Sequence, residues 1–490
     1  MPKYKSTVEE WIRGHKELKI DNKKIFCQAC SKTIVCNKKY DITQHLKTDR
    51  HKEHIRKIEE NKNKQQTIST SIASTSGFNE QKHFNFDLCS AMIKSDIPLN
   101  KLQSRSFREF LEKYCKKNIP DESTLRKNYV APVYDETMQQ IKKYIANNYI
   151  WFAVDETTDT CGRYVANLII GVLNEDVVTE GFLISSKELT KTNSNTISRF
   201  VHDELNKIFL PEAVPNEKIL LMLSDAAAYM IKAASNIKIF YYNLIHCTCL
   251  AHGLNRIAET IRLQYPMVNT LIKNGKQIFM KAPLRVQLFK ETLPDIPLPP
   301  APVLTRWGTW LDAAMYYADH FKEFQGIILE FQSTESKSIE ECQRVLKIPE
   351  LAQQLAFIKS HFKFVSQCIQ FLEKQQLPLV ESVNIIKNFE AAANSVPGSI
   401  GQIVKEKVIQ TLSKNEGFQT LYKISTILNG AEHCDFEIDP AIIPKFKHAP
   451  ITSVDVERSF STYKNILTDR RHNFSMENLE KHLVIHSFKH

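Results

Sequence analysis

No run of eighteen apolar residues occurs among the 490 residues, and the opening stretch MPKYKSTVEEWIRGHK lacks the apolar core of a secretory signal. These absences predict a soluble intracellular protein that neither spans a membrane nor is exported. The 11 cysteines are scattered without regular pairing, so a disulfide scaffold is excluded and most should be free core thiols in a reducing compartment. Acidic residues are scarce at the start: from Lys3 to Lys64 there are 17 Lys/Arg against 9 Asp/Glu, a balance of +8 out of the chain's +10. Such a block attracts phosphates whatever their sequence, although basic arms are commonly just solvated. With 42% hydrophobic residues a core is well supplied, so disorder can be only local. The length suits two or three domains of about 150 residues.

Within the basic arm the chain reads Cys27-Gln-Ala-Cys30, then His45 and His51, giving C-x2-C-x14-H-x5-H. Two thiolates on a knuckle and two imidazoles on a following helix can share one tetrahedral Zn2+, and the binding energy then folds a segment too small to bury a core. Ile25 and Phe26 read as the end of a strand. Ile42 and Leu46 give the helix an apolar side towards the metal, leaving Lys47, Arg50 and Lys52 to meet phosphates or bases. Cys36 and His54 are spare ligands, and a finger used for protein contact is the alternative. The spacing resembles the BED-type fingers of hAT transposases, and Gln44 to His51 is similar to the CGG triplet-repeat-binding family.

The run NKNKQQTISTSIASTSG, Asn61 to Gly77, is polar with little to bury and reads as a flexible linker. Phe107, Phe110, Leu111 and Tyr114 then recur at helical intervals in a segment broken by Pro120 and Pro132. Arg105, Arg108, Lys113, Lys116 and Lys117 permit DNA contact there, or simply form a solvated face.

Tyr149 to Val154 is a continuous apolar run that stops at Asp155, with Glu156 and Asp159 close behind. It predicts a buried strand. Val165–Leu173 and Val177–Ile184 follow as strands, a helix begins near Ser194, and Ile219–Leu223 is a further buried strand ending at Ser224-Asp225. Three strands, a helix, a strand, a helix and a strand is the order of the ribonuclease-H-like fold, in which the first and fourth strands lie side by side. Asp155 and Asp225 would then be neighbours, and two carboxylates so placed repel unless a cation such as Mg2+ sits between them. A strand-end Asp taken alone is commonplace, because strands end in polar turns.

Near the C-terminus SVDVERSFSTYKNIL carries Val456, Phe460, Tyr463 and Leu467 at helical spacing, with Glu457 on the face of Phe460. The alternative is a surface Glu paired with Arg458. This stretch, continuing to His486, resembles the C-terminal dimerisation region of hAT transposases, including the family's Glu-Arg-x-Phe-Ser motif. The resemblance implies a complete triad of Asp155, Asp225 and Glu457, two Mg2+ or Mn2+ ions, and DNA strand cleavage and joining. It also implies double-stranded DNA as partner, a nuclear location, and a dimer or larger assembly through the C-terminal region. Met476, Leu479 and Leu483 form an apolar stripe there that would serve either as interface or as core. Cys249 and His252 match the family's C-x-x-H element, read here as structural, since Cys247, Cys249 and His252 lack a fourth ligand for a second zinc. Arg306 and Trp307 match its Arg-Trp element, whose Trp stacks on a flipped base. Without the resemblance Trp307 and Trp310 would read as core aromatics.

The chain departs from the family pattern at Thr157 and in Ser-Asp-Ala-Ala-Ala-Tyr-Met, Ser224 to Met230, and its helical insert is short. The expected fold is an α/β ribonuclease-H-like core with a large all-α insertion, plus a small N-terminal zinc finger and a helical linker domain. The expected boundaries are 1–60 for the finger, 61–78 for the linker, 79–148 for the helical unit, 149–256 for the first part of the core, 257–440 for the insertion and 441–490 for the closing helices. Two functions fit: a transposase, or a catalytically silent DNA-binding regulator. A protein-interaction scaffold is a weaker third.

Overall fold

Ten residues, Tyr149–Thr158, form the strand around which the larger part of the protein is organised. The computed structural model describes residues 11–488 except 13, 16–17, 22–23, 28–29, 31, 35, 37, 50, 54, 57–74, 177, 179, 212–213, 303–306, 375–376, 432–437 and 468–473. The chain divides into two units, meeting at Asn85 and Phe86.

The first unit contains a three-stranded antiparallel sheet, β1 (Leu18–Asp21), β2 (Lys24–Cys27) and β3 (Lys32–Ile34), followed by helix α1 (Lys39–Lys47). Leu18, Ile25, Cys27, Ile34 and Ile42 are its buried apolar residues, with Leu46 packed against them. Five buried side chains are a small core for a folded segment, and small domains commonly need a metal to make up the difference. The expected linker lies mostly outside the described residues.

In the second unit β4 (Tyr149–Thr158), β5 (Tyr164–Leu173), β6 (Phe182–Leu189), β7 (Ile219–Ser224) and β8 (Ile245–Thr248) form one sheet in the order β6-β5-β4-β7-β8. β4 is antiparallel to β5 and parallel to β7, which is parallel to β8. Its nearly unbroken apolar run follows from this central place, since helices cover both faces. On one face Asn167, opposite Asp155 in the register, donates to Ser459 Oγ at 2.7 Å. On the other, Tyr229 OH donates to Glu156 and Ser185 Oγ donates to Glu480 at 2.6 Å.

Two strands differ in extent from the sequence expectation. β4 does not stop at Asp155, because its hairpin with β5 pairs on to Thr158↔Tyr164 after pairing with β7 has ended at Ala153↔Leu223. β6 starts at Phe182, where the ladder to Ile170 begins, and runs on to Leu189.

Helices α2 (Thr75–Lys94), α3 (Arg105–Cys115), α4 (Glu122–Asn128) and α5 (Val130–Ile145) precede the sheet. The expected apolar stripe on α3 is not buried: the helix has no buried residue, and Phe110 and Tyr114 stay more than half exposed. Arg108 is occupied, donating to the carbonyls of Ile119 and Pro120 and to Asp121. Helices α6 (Ser194–Phe209) and α7 (Ala228–Lys238) lie in the crossover from β6 to β8, and α8 (Leu250–Leu263) follows β8. A helical array from Pro266 to Leu428 comes next, and the chain then returns to the sheet with α9 (Val454–Ile466) and α10 (Met476–Ser487).

The stripe on α10 is spent inside the chain. Leu479 and Leu483 are fully buried, and the helix packs against β6 and α5. Of the two uses left open for this stripe, interface or core, these leucines take the second; an apolar stripe looks alike whether it covers a partner or the chain's own sheet.

The edge of β8 is covered by the last helix of the array, Glu416–Leu428. Asn415 stands in for a neighbouring strand, its Oδ1 accepting from the Thr248 N–H (3.1 Å) and its Nδ2 donating to the Thr248 carbonyl (2.7 Å). Gly417 is required beside it, since a Cβ there would lie 2.0 Å from the His246 carbonyl oxygen. Gly417→Ala is expected to cost about 1–3 kcal/mol in urea unfolding, because backbone on both sides must move. An unchanged midpoint would mean that the helix is not seated against β8.

Candidate metal centres

The spacing x5 between His45 and His51 does not suit one helical face, since six steps on an uninterrupted helix leave two side chains about 120° apart. The chain solves this by leaving the helix at Thr48, whose backbone is extended, and resuming at Asp49. Thr48 Oγ1 donates to the His45 carbonyl at 2.8 Å and accepts from the His51 N–H at 3.3 Å, fixing the break. His51 Nδ1 then lies 3.5 Å from Cys27 Sγ and 3.4 Å from Cys30 Sγ, with the two imidazole centroids 4.9 Å apart.

The donor atoms of Cys27, Cys30, His45 and His51 all fall within 4.8 Å of one another. Zn–S bonds near 2.3 Å and Zn–N bonds near 2.0 Å place tetrahedral donors at about this separation, so the cluster is compatible with Zn2+. Cys36 stands outside it; its thiol donates to the Lys38 carbonyl, and burial pushes its pKa up. Lys47 and Lys52 are exposed. Arg50 and the spare His54 lie outside the described residues.

The second cluster is assembled from three distant parts of the chain. Asp155 projects from β4 just beyond the last pair with β7. Asp225 follows the end of β7. Glu457 is carried by α9, which is tied to β5 through Ser459 and Asn167. A further tie fixes the tip of the β4–β5 hairpin to the same helix: Tyr463 OH donates to Asp159 Oδ2 at 3.0 Å, and Arg163 Nε donates to that oxygen at 2.7 Å.

Asp155 and Glu457 meet at His252, and the donor atoms of these three lie within 4.8 Å of one another. His252 Nε2 is 3.4 Å from Glu457 Oε1. Asp225 is a neighbour outside that trio, with its Oδ1 accepting from the Ala227 N–H (3.0 Å) and Arg256 Nη2 3.9 Å from its Oδ2. Its charge still reaches Asp155 and Glu156, pushing both carboxyls up.

The electrostatics are those of a buried acid group. Burial lifts the Asp155 carboxyl well above the usual range; His252 opposes this, and Glu457, Glu156 and Asp225 add to it. Burial alone would lower the His252 imidazole, but Cys249, Glu457 and Asp155 hold it up at about 11. Cys249 is buried; its Sγ accepts from the Ser453 N–H at 3.2 Å, and against burial the imidazole holds its thiol below the ordinary value. Glu156, on the opposite face, is pushed up by burial despite the hydrogen bond from Tyr229.

Sequence reasoning classed His252 with Cys249 as structural and missed its place between the two acids. A signal was present. Cys249 caps α8 directly after β8, which puts His252 in the first turn beside the C-terminal ends of β4 and β7, and Arg256 one turn further on. Trp307 flanks the imidazole at a centroid distance of 4.7 Å, while Trp310 is buried with its Nε1 donating to Asn269. Gly308, in the left-handed region, anchors this turn by donating its N–H to Asn255 of α8. Arg306 lies outside the described residues. Among the described residues Cys247 belongs to no metal-type cluster.

Residues 75–132 match the family model described as the CGGBP1 helical domain, which spans α2 to α4. Residues 120–278 match the Domain of unknown function (DUF659), which contains the whole five-stranded sheet, Asp155, Asp225 and His252, and ends before Trp307 and Glu457. The chain is also similar to CGG triplet repeat-binding protein 1 of Mus musculus and of Homo sapiens. Each is 28% identical over 128 residues, covering 25% of this chain and 77% of the relative. No helix among the described residues is long and apolar enough to cross a membrane.

Proposed function

We propose that this chain is a nuclear, DNA-binding, transposase-derived protein of the hAT type, with a BED-like zinc finger and a ribonuclease-H-like core. The observation that carries the reading is the meeting of Asp155 and Glu457, about three hundred positions apart in sequence, at one end of a β6-β5-β4-β7-β8 sheet with Asp225 beside them. Acids gathered at that cost in burial are suited to holding a divalent cation. Asp155, Asp225 and Glu457 would hold Mg2+ or Mn2+, which when bound activates water and stabilises a leaving oxygen in phosphodiester chemistry. Trp307 presents an aromatic face to an unstacked base beside the same acids.

DNA recognition is assigned to the finger. Its exposed Lys47 and Lys52 lie at the end of α1 and just beyond it, close in sequence to His45 and His51, held in place once Zn2+ is bound. The match to a CGG triplet repeat-binding protein supports duplex DNA as partner. It also favours a second reading, a DNA-binding regulator in which the core no longer cuts.

Fluorescence anisotropy on a labelled duplex over a salt series tests the DNA assignment. Replacing both Lys47 and Lys52 by Ala is expected to weaken binding and to reduce the log–log salt slope by about 2. A slope unchanged by the double substitution would remove the finger from the DNA interface, and binding insensitive to salt would favour a protein partner.

A further inference from the structure

Resting on the reading of this cluster as a cation site, we propose that His252 is itself a metal ligand, so that the principal ion sits between two carboxylates and one imidazole. The site of Asp155, Glu457 and His252 would then select a transition ion such as Mn2+ over Mg2+.

The argument begins with Asp155. Its residue is only 7% exposed, and its one hydrogen bond, from the Glu156 N–H, falls on Oδ1 at 2.9 Å. Oδ2 accepts no hydrogen bond among the described residues, which for a carboxylate this deeply buried leaves a large desolvation cost uncompensated. A group able to offset it is His252, whose donor atom lies within 4.8 Å of those of both Asp155 and Glu457. Three donors from a strand and two helices thus converge on one point, as a tripodal metal site requires.

Asp225 is differently engaged. It is turned towards Arg256 and the Ala227 N–H, and it is not among the three convergent donors. It is therefore suited to an outer place or to a second, weaker ion.

The imidazole turns one ring nitrogen towards the acids: Nε2 faces Glu457, while Nδ1 is buried without a hydrogen-bond partner, and the nearby buried Cys249 sulfur is fixed by the Ser453 N–H. Trp307 closes one side. An imidazole in the ligand set disfavours Mg2+, which prefers oxygen donors, whereas Mn2+ accepts both.

The test is electron spin-echo spectroscopy of Mn2+ added to the zinc-loaded full chain, beside His252→Gln and His252→Asp. Directly bound imidazole nitrogen should modulate the wild-type echo and vanish in both variants. Mn2+ affinity should fall by roughly tenfold to a hundredfold in His252→Gln, and His252→Asp should bind again but with Mg2+ competing at least tenfold better than in wild type. Bound Mn2+ without nitrogen modulation would overturn the proposal and leave a carboxylate site standing. No Mn2+ bound outside the finger would overturn both the proposal and the cation reading beneath it. Should His252→Gln fail to fold, the wild-type spectrum with and without nitrogen-15 histidine decides the matter alone.

Discussion

Stripping zinc from the full chain, or replacing Cys30 by Ser, is expected to unfold the segment from Leu18 to Arg56 and leave the unit from Phe86 onward folded. Five buried apolar residues hold the three short strands and α1 together. The break at Thr48 brings His51 onto the thiolates only if an ion rewards it. Structural zinc supplies about 10–16 kcal/mol of apparent binding energy in such segments, far above what this core can provide. Amide proton NMR during chelator titration should show the finger resonances collapsing together while the thermal transition of the larger unit stays in place. Persistence of the finger resonances after complete zinc removal would contradict the assignment of these four residues.

Asp155→Asn is expected to stabilise the metal-free protein by about 1–3 kcal/mol, because it removes a buried charge that has too few donors. The sign follows from linkage. A carboxyl whose folded pKa is raised holds its proton longer in the native state, so unfolding free energy falls as pH climbs above the ordinary value of 3.8. Wild type should therefore lose stability relative to the variant across that rise, with the two converging at lower pH. Mn2+ should reverse the order, raising the wild-type melting temperature and leaving the variant nearly unchanged. Calorimetry over a pH series with and without Mn2+ reads both effects. A variant less stable than wild type without metal would mean that the Asp155 charge is satisfied within the protein.

The cluster of Cys27, Cys30, His45 and His51 was legible because its members are fixed by short spacings in one stretch of chain. The helix break at Thr48 was not, since only the need to bring both imidazoles to one point demands it. The sheet strands showed as apolar runs, but their ends moved: β4 passes through Asp155 because a hairpin partner continues where the parallel partner stops. Asp155 and Glu457 could be singled out through the family resemblance, whereas periodicity alone leaves Glu457 as a surface acid paired with Arg458. The place of His252 between the two acids was not legible, because its neighbours in space, β4 and α9, lie far away in sequence. At Leu479 and Leu483 the pattern left interface and core equally open, and the stripe covers β6 and α5. On α3, Phe110 and Tyr114, read as apolar residues at helical intervals, are left exposed, and hydrophobicity alone does not tell such a stripe from a buried one.

Incubating the zinc-loaded full chain with end-labelled duplex DNA in Mg2+ or Mn2+ at low salt, beside Asp155→Ala and Glu457→Ala, tests the proposed nuclease core most directly. The expected result is metal-dependent nicked or joined strands, absent in both variants although each still binds the duplex. Duplex binding by wild type with no cleavage in either metal, or cleavage that survives both substitutions, would contradict it.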